Sequence, residues 1–158
     1  MPRLNPLHGK WETTPLFSHA GISHRMQNSS STPNTPNLSP YAEWFGLQIT
    51  QTNHQTAEVK LIVEPHHLNK FGTGHGGVCL SLADHACGAL LATIAAEEFY
   101  ATVTLNSAFY LPVVPGELLA TAQLIARTRS TAHIEATITQ AGKLLFKASG
   151  SFAIRPKR

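Results

Sequence analysis

The stretch His66-His67-Leu68-Asn69-Lys70-Phe71-Gly72-Thr73-Gly74-His75-Gly76-Gly77-Val78-Cys79-Leu80-Ser81-Leu82-Ala83-Asp84-His85-Ala86-Cys87-Gly88 decides how the rest of the chain is read. Up to Gly77 it is polar and glycine-rich, the texture of a loop. From Val78 it is apolar and alanine-rich, and its spacing predicts a helix running to about Ala96. Gly72, Gly74, Gly76 and Gly77 admit backbone conformations that other residues resist. They also leave amide N–H groups uncovered where the helix begins, at an end that carries free donors and a partial positive charge. An anion or a polarised oxygen is stabilised there. Asp84 then stands within an otherwise apolar helix, and a carboxylate in such a place is costly unless paired.

Working outward, Ser39-Pro40 is the signature of an N-cap followed by proline at the first helical position. It predicts a short helix, Tyr41 to Phe45, closed by Gly46, whose plain role is a lid on the core. Leu47–Gln51 and Thr56–Val63 are expected to be strands joined by a turn at Asn53-His54. Ala57, Val59, Leu61 and Val63 alternate with mostly polar neighbours at period two. After the long helix come strands at Tyr100–Leu111, Glu117–Arg129, Thr131–Gln140 and Lys143–Ile154. Proline and glycine mark the breaks, and Ala141-Gly142 makes a hairpin turn. One helix among six strands is an α+β layout, an antiparallel sheet with its helix on one face. Val78, Leu80, Leu82, Ala83, Ala86, Leu90, Leu91 and Ile94 make that helix apolar nearly all round. A single curved sheet cannot cover it, so a second subunit is expected.

The 158 residues suit one domain with a real core. Charged residues are 13% and the net charge is +3, with Lys and Arg scattered, so no nucleic-acid partner is expected. Cys79 and Cys87, eight apart on one helix, stand about 12 Å apart along its axis, too far for a disulfide. Their use as small apolar residues suits a reducing, cytoplasmic compartment. No apolar run is expected to reach membrane-spanning length and no signal peptide is seen. Residues 1–37, rich in Pro, Ser, Thr and Asn, are expected to form a flexible tail, with Trp11, Leu16 and Phe17 as possible anchors; the folded domain is placed at 38–155.

Asn69, Gly72, His75-Gly76-Gly77 and Leu82-Ala83-Asp84 stand in the order and spacing of a family motif. On them the chain resembles the phenylacetyl-CoA thioesterase (PaaI-like) family of acyl-CoA hydrolases, from about Leu38 to Ile154. The resemblance implies the hotdog fold, in which the sheet wraps the central helix, and thioester hydrolysis of an acyl-CoA without cofactor. It implies that Asp84 acts as general base or as nucleophile, and that Gly76, with Gly77 beside it, supplies the amide that holds the carbonyl oxygen. Asn69 would stand beside that carbonyl, although holding its own loop is the commoner role of such a residue. His75 is an orienting donor or an ordinary loop histidine. Thr102 matches a hydroxyl that steers the attacking water, and otherwise is a β-branched residue in a strand. Arg127-Thr128-Arg129-Ser130 resembles the family's basic turn, near which the phosphates of CoA would lie.

Gly76 and Asp84 lie about 12 Å apart on one helix and cannot touch one carbonyl. Two antiparallel helices in a homodimer, or in a dimer-of-dimers tetramer, would bring them together; Ser81, Asp84, His85 and Gly88 form a small polar stripe suited to that contact. His66, His67, His75 and His85 lack metal-ligand spacing, so no metal is expected, and Ser81 lacks the context of a nucleophilic serine. A hydratase or dehydratase of the same fold, or a non-catalytic acyl-CoA binder, is the alternative reading.

Overall fold

The computed structural model describes residues 3–4, 11–12 and 39–157, in two compact units, 1–34 and 35–158. In the first, β1 (Arg3–Leu4) pairs antiparallel with β2 (Trp11–Glu12), Arg3 opposite Glu12 and Leu4 opposite Trp11. Leu16, Phe17 and the linker-like run 29–36 lie outside the described residues.

The second unit begins with α1 (Pro40–Phe45). The Ser39 side chain accepts from the Ala42 N–H, and Gly46, at φ 76°, ends the helix in the left-handed region that favours glycine. β3 (Gln48–Thr52) and β4 (Thr56–Val63) follow. Asn53 shapes the turn between them, its Oδ1 accepting from the N–H groups of Gln55 and Thr56. A single 3-10 turn, Pro65–His67, leads into the glycine loop and α2 (Gly76–Ile94). β5 (Glu98–Phe109), β6 (Gly116–Arg127), β7 (Thr131–Gln140) and β8 (Lys143–Pro156) complete the chain. The six strands form one antiparallel sheet in the order β3-β4-β6-β7-β8-β5. This is the α+β hotdog arrangement that the resemblance implied.

α2 lies across β4, β6 and β7 and buries Val78, Cys79, Leu82, Ala83, Ala86, Cys87, Ala89, Leu90 and Leu91. The sheet's inner row meets it with Val59, Leu61, Leu118, Ile134, Ile138, Phe146 and Phe152, all 1% exposed or less. Each such side chain contributes about 1.5–3 kcal/mol by leaving water. One expectation needs correction. By length and composition α2 would pass as a membrane span, but half of it is sheathed by the sheet, so its apolarity serves a core. Leu80, on the part of this apolar helix that a single sheet was expected to leave uncovered, is 37% exposed. It stands with the half-buried Ser81, Asp84, His85 and Gly88 and the exposed Ala92 on the side the sheet leaves open.

His67 ties α1 to the glycine loop and, among the described residues, is the one polar residue buried as deeply as the core, 3% exposed. Its Nδ1 accepts from the Glu64 N–H and its Nε2 meets the Phe45 carbonyl oxygen at 3.2 Å, so the neutral ring donates from Nε2. Burial, and then neighbouring His66, hold its pKa below the ordinary value against raising pulls from the Phe45 carbonyl and Glu64. His85 is also held low, by burial, although Asp84 pulls it up.

The unfolded chain therefore takes up protons first as the pH falls. The stability contributed by these neutral rings is whole above the ordinary histidine value of 6.5 and is lost as the pH drops through it toward the lower folded values. Thermal melts should show a lower Tm at about pH 5.5 than at about pH 7.5, and His67→Gln should shrink the difference. Separately, the β7–β8 hairpin turns on Ala141 at φ 48° and Gly142 at φ 76°, a pair of left-handed residues suited to Asn-Gly. Ala141→Asn should raise Tm by about 2–4 °C; a drop would contradict that turn geometry.

Candidate active site

The glycine loop is held by short bonds before it reaches the helix. Asn69 uses both ends of its amide inside the loop: Oδ1 accepts from the Phe71 N–H at 2.8 Å and Nδ2 donates to Thr73 Oγ1 at 2.9 Å. The Asn69 N–H donates to the Thr73 carbonyl oxygen and Gly72, at φ 78°, closes the turn. The loop-holding role of Asn69 is thus plainly present, with one Nδ2 hydrogen left over. Gly74 donates to the Val113 carbonyl oxygen, and a Cβ at Gly74 would come within 2.6 Å of Val113 Cγ1. Only glycine lets the segment after β5 pack this closely.

α2 starts two residues earlier than its apolar texture suggests, because His75 is its N-cap. His75 Nδ1 accepts the Gly77 N–H at 3.0 Å and its carbonyl oxygen accepts the Val78 N–H. A lone pair on Nδ1 leaves the neutral ring's proton on Nε2. This allocation separates the two glycines. The Gly77 amide is spent on the cap, whereas the Gly76 N–H meets no acceptor among the described residues. At the positive end of a nineteen-residue helix, Gly76 is the available donor.

Asp84 sits two turns further along, half-buried. Thr102 of β5 donates from Oγ1 to Asp84 Oδ1 at 2.8 Å, and the second carboxylate oxygen has no partner among the described residues. A β-bulge aims this contact. β5 slips by one residue against β8 between Thr102 and Thr104, leaving Val103 64% exposed. Before the bulge Tyr100 and Thr102 face α2; beyond it Leu105 packs on the core and the Phe109 ring lies 3.4 Å from where a Gly76 Cβ would be. Without the extra residue, one of these two sets would face away from the helix. Sequence reading saw an unbroken β-rich run here, and nothing local marks the bulge.

The basic turn is divided. Arg127 donates to Glu98 and to the Ile94 carbonyl oxygen, closing the C-terminal end of α2. Arg129 and Ser130 are exposed at the β6–β7 turn, where the Ser130 carbonyl oxygen accepts from Arg155. Sequence reasoning missed the pairing of Arg127 with Glu98, which stand at the end of β6 and the start of β5.

Two cavities flank the helix start. One, of about 360 Å³, lies against Gly74, Gly76, Phe109, Leu111 and Val113. The other, of about 420 Å³, is walled by Tyr41, Trp44, Phe45, His66, His75 and Ser81. The Tyr41 hydroxyl meets Ser81 Oγ at 2.6 Å, so Ser81 is bonded to the lid helix. Burial pushes the Cys79 and Cys87 thiols up to about 11 and about 12, with Asp84 adding to the shift at Cys87. Neither thiol is a nucleophile near neutral pH. No three His, Cys, Asp or Glu side chains come together as a metal site among the described residues. His85 Nε2 is buried with no hydrogen-bond partner there.

A carboxylate with one oxygen pinned by a hydroxyl thus stands on the helix whose first amide is left open. Comparison with known proteins gives the family. The pattern of the Thioesterase superfamily matches residues 71–147, which span the loop from Phe71 onward, α2 and most of the sheet. A Deinococcus radiodurans protein named as an esterase is 32% identical over 126 residues, 78% of this chain and 84% of that protein. A conserved Pseudomonas aeruginosa protein superposes with TM-score 0.72 at 29% identity, over 74% of this chain and 94% of its own. A mutant of the phenylacetic acid degradation protein PaaI from Thermus thermophilus superposes with TM-score 0.69 at 26% identity, over 73% and 98%. Its sheet, its sheathed helix and these likenesses together make the chain a hotdog-fold hydrolase that belongs to the thioesterase superfamily, with PaaI among its structural neighbours.

Proposed function

We propose that the chain hydrolyses an acyl-CoA to the free acid and CoA at a site shared between two copies. The observation that carries this is the division of labour along α2: the open amide at Gly76 and the Thr102-bonded carboxylate at Asp84. They lie too far apart to serve one carbonyl within a single chain.

The sheet offers a place for the second copy. One edge strand, β3, is short and polar; the other, β5, runs for twelve residues. Along and just after it Phe99, Val103, Phe109, Tyr110 and Leu111 are all about half exposed or more. A long apolar edge invites pairing with another strand. Antiparallel pairing of two β5 strands sets the two α2 helices antiparallel, with Asp84 of each copy toward the Gly76 end of the other. The stripe of Ser81, Asp84 and Gly88 then lines the seam.

In that site the Gly76 N–H holds the thioester oxygen as negative charge gathers on it. Asp84 takes the proton of the attacking water, or itself attacks the carbonyl carbon. Thr102 fixes one carboxylate oxygen and leaves the other to react. Collapse of the intermediate expels the CoA thiolate, which takes up a proton; where Asp84 has attacked, water then cleaves the acyl-aspartyl anhydride to free the acid and restore the carboxylate. Gly77 and His75 build the helix start, and Asn69 builds the loop that presents it. Arg129 and Ser130, exposed at their turn, offer charge and hydrogen bonding to the phosphates of CoA, while Arg127 acts from behind through its bond to Glu98.

Asp84→Asn should lower kcat by roughly 10²-fold or more, with KM little changed and Tm equal or higher because the amide costs less to cover than the charge. A thiol-release assay and a melt on the same variant decide this; near-normal kcat with a lower Tm would make Asp84 structural. For the shared site, sedimentation should find at least a dimer. Val103→Lys, placing a charge on the β5 edge, should yield a folded monomer without turnover. A fully active monomer would end the shared-site reading.

A further inference from the structure

The first helix, α1, takes no part in that chemistry, yet it carries three aromatic side chains on six residues. Tyr41 is stacked on Phe45 at 5.4 Å between ring centroids, with Trp44 tilted against both. Phe45 reaches His67, which abuts His66. Ser39 caps one end of the helix and Gly46 stops the other. Trp44 nevertheless leaves 71% of its surface exposed, at the wall of the 420 Å³ cavity beside Gly77 and Ser81. An indole held in that position has a large apolar face to offer a ligand.

We propose that Tyr41 and Trp44 are specificity-determining residues, forming with Phe45 and His66 the wall of the pocket that receives the acyl group. The proposal rests on the acyl-CoA thioesterase reading above. A thioester carbonyl held at Gly76 must send its acyl and sulfur limbs in different directions, and a cavity lies on each side of the helix start. The aromatic one suits the apolar acyl limb. The other, along Gly74 and the segment from Phe109 to Val113, suits the amide-bearing pantetheine limb. The Tyr41–Ser81 hydrogen bond latches α1 to α2 and sets the pocket's width. A volume of about 420 Å³ is near the low end for ligand pockets, which fits a compact acyl group better than a long chain.

The test compares kcat/KM for acetyl-, benzoyl- and dodecanoyl-CoA. Trp44→Ala should lower the benzoyl-to-acetyl ratio roughly tenfold, the scale of losing a pocket wall. Trp44→Phe, which keeps a ring, should restore most of it. Tyr41→Phe keeps its ring but frees Ser81, and should raise the dodecanoyl-to-benzoyl ratio. Trp44 is exposed enough that its truncation should leave the fold intact, which a melt checks. An equal fall for all three substrates would place pantetheine in this pocket and overturn the proposal. Ratios at the wild-type value with a changed oligomeric state would give the pocket to the partner copy, and would also overturn it. A wild-type chain that frees no thiol from any of the three would instead strike the thioesterase reading itself, and the acyl pocket with it.

Discussion

An apolar helix of nineteen residues cannot stand in water, and the need to sheathe α2 organises the molecule. Only a curved sheet offers a continuous apolar surface along its whole length, and six strands supply it. The sheet covers the flank bearing Leu82, Ala83, Ala86 and Leu90. It cannot reach the opposite flank, where Ser81, Asp84 and Gly88 stand. That flank is where a polar group can be kept without the full cost of burial, and it holds the Asp84 carboxylate.

The same helix sets the chemistry at its start. A helix begins with unpaired amides, and a protein must decide which of them to satisfy. Here the His75 ring consumes the Gly77 N–H and leaves the Gly76 N–H open. The selection is positional: a side chain two residues before Gly77 reaches that amide and not the one between them. His67 then secures the approach by bonding Glu64 on one side and Phe45 on the other. The loop, the lid helix and α2 become one construction, and the rings of Tyr41, Trp44 and Phe45 are carried to the rim of a cavity beside the open amide.

β5 solves a different problem. It must satisfy Asp84 near its beginning and pack Phe109 against the helix start near its end, and a regular strand of period two cannot present both. The bulge at Val103 changes the parity between them. It also leaves Val103 projecting from the sheet edge, among the apolar residues that a second strand would cover.

Much was legible in the sequence. Period two in Ala57–Val63 and Thr131–Gln140, the Ser39-Pro40 cap, the Gly46 stop and the Ala141-Gly142 hairpin are local signals, and the structure obeys each. The order of one helix among six strands led to the α+β class, and the spacing of Asn69, Gly76 and Asp84 led to the thioesterase family. The sequence alone determined these because each depends on residues near one another in the chain. Tertiary structure decided the rest: that Thr102 reaches Asp84 across eighteen positions, that Arg127 is paired with Glu98, and that Tyr41 latches to Ser81. Each is a choice among hydrogen-bond partners that several residues could have made. Only the packing of α2 into its sheet, which brings distant residues within bonding distance, selects between them.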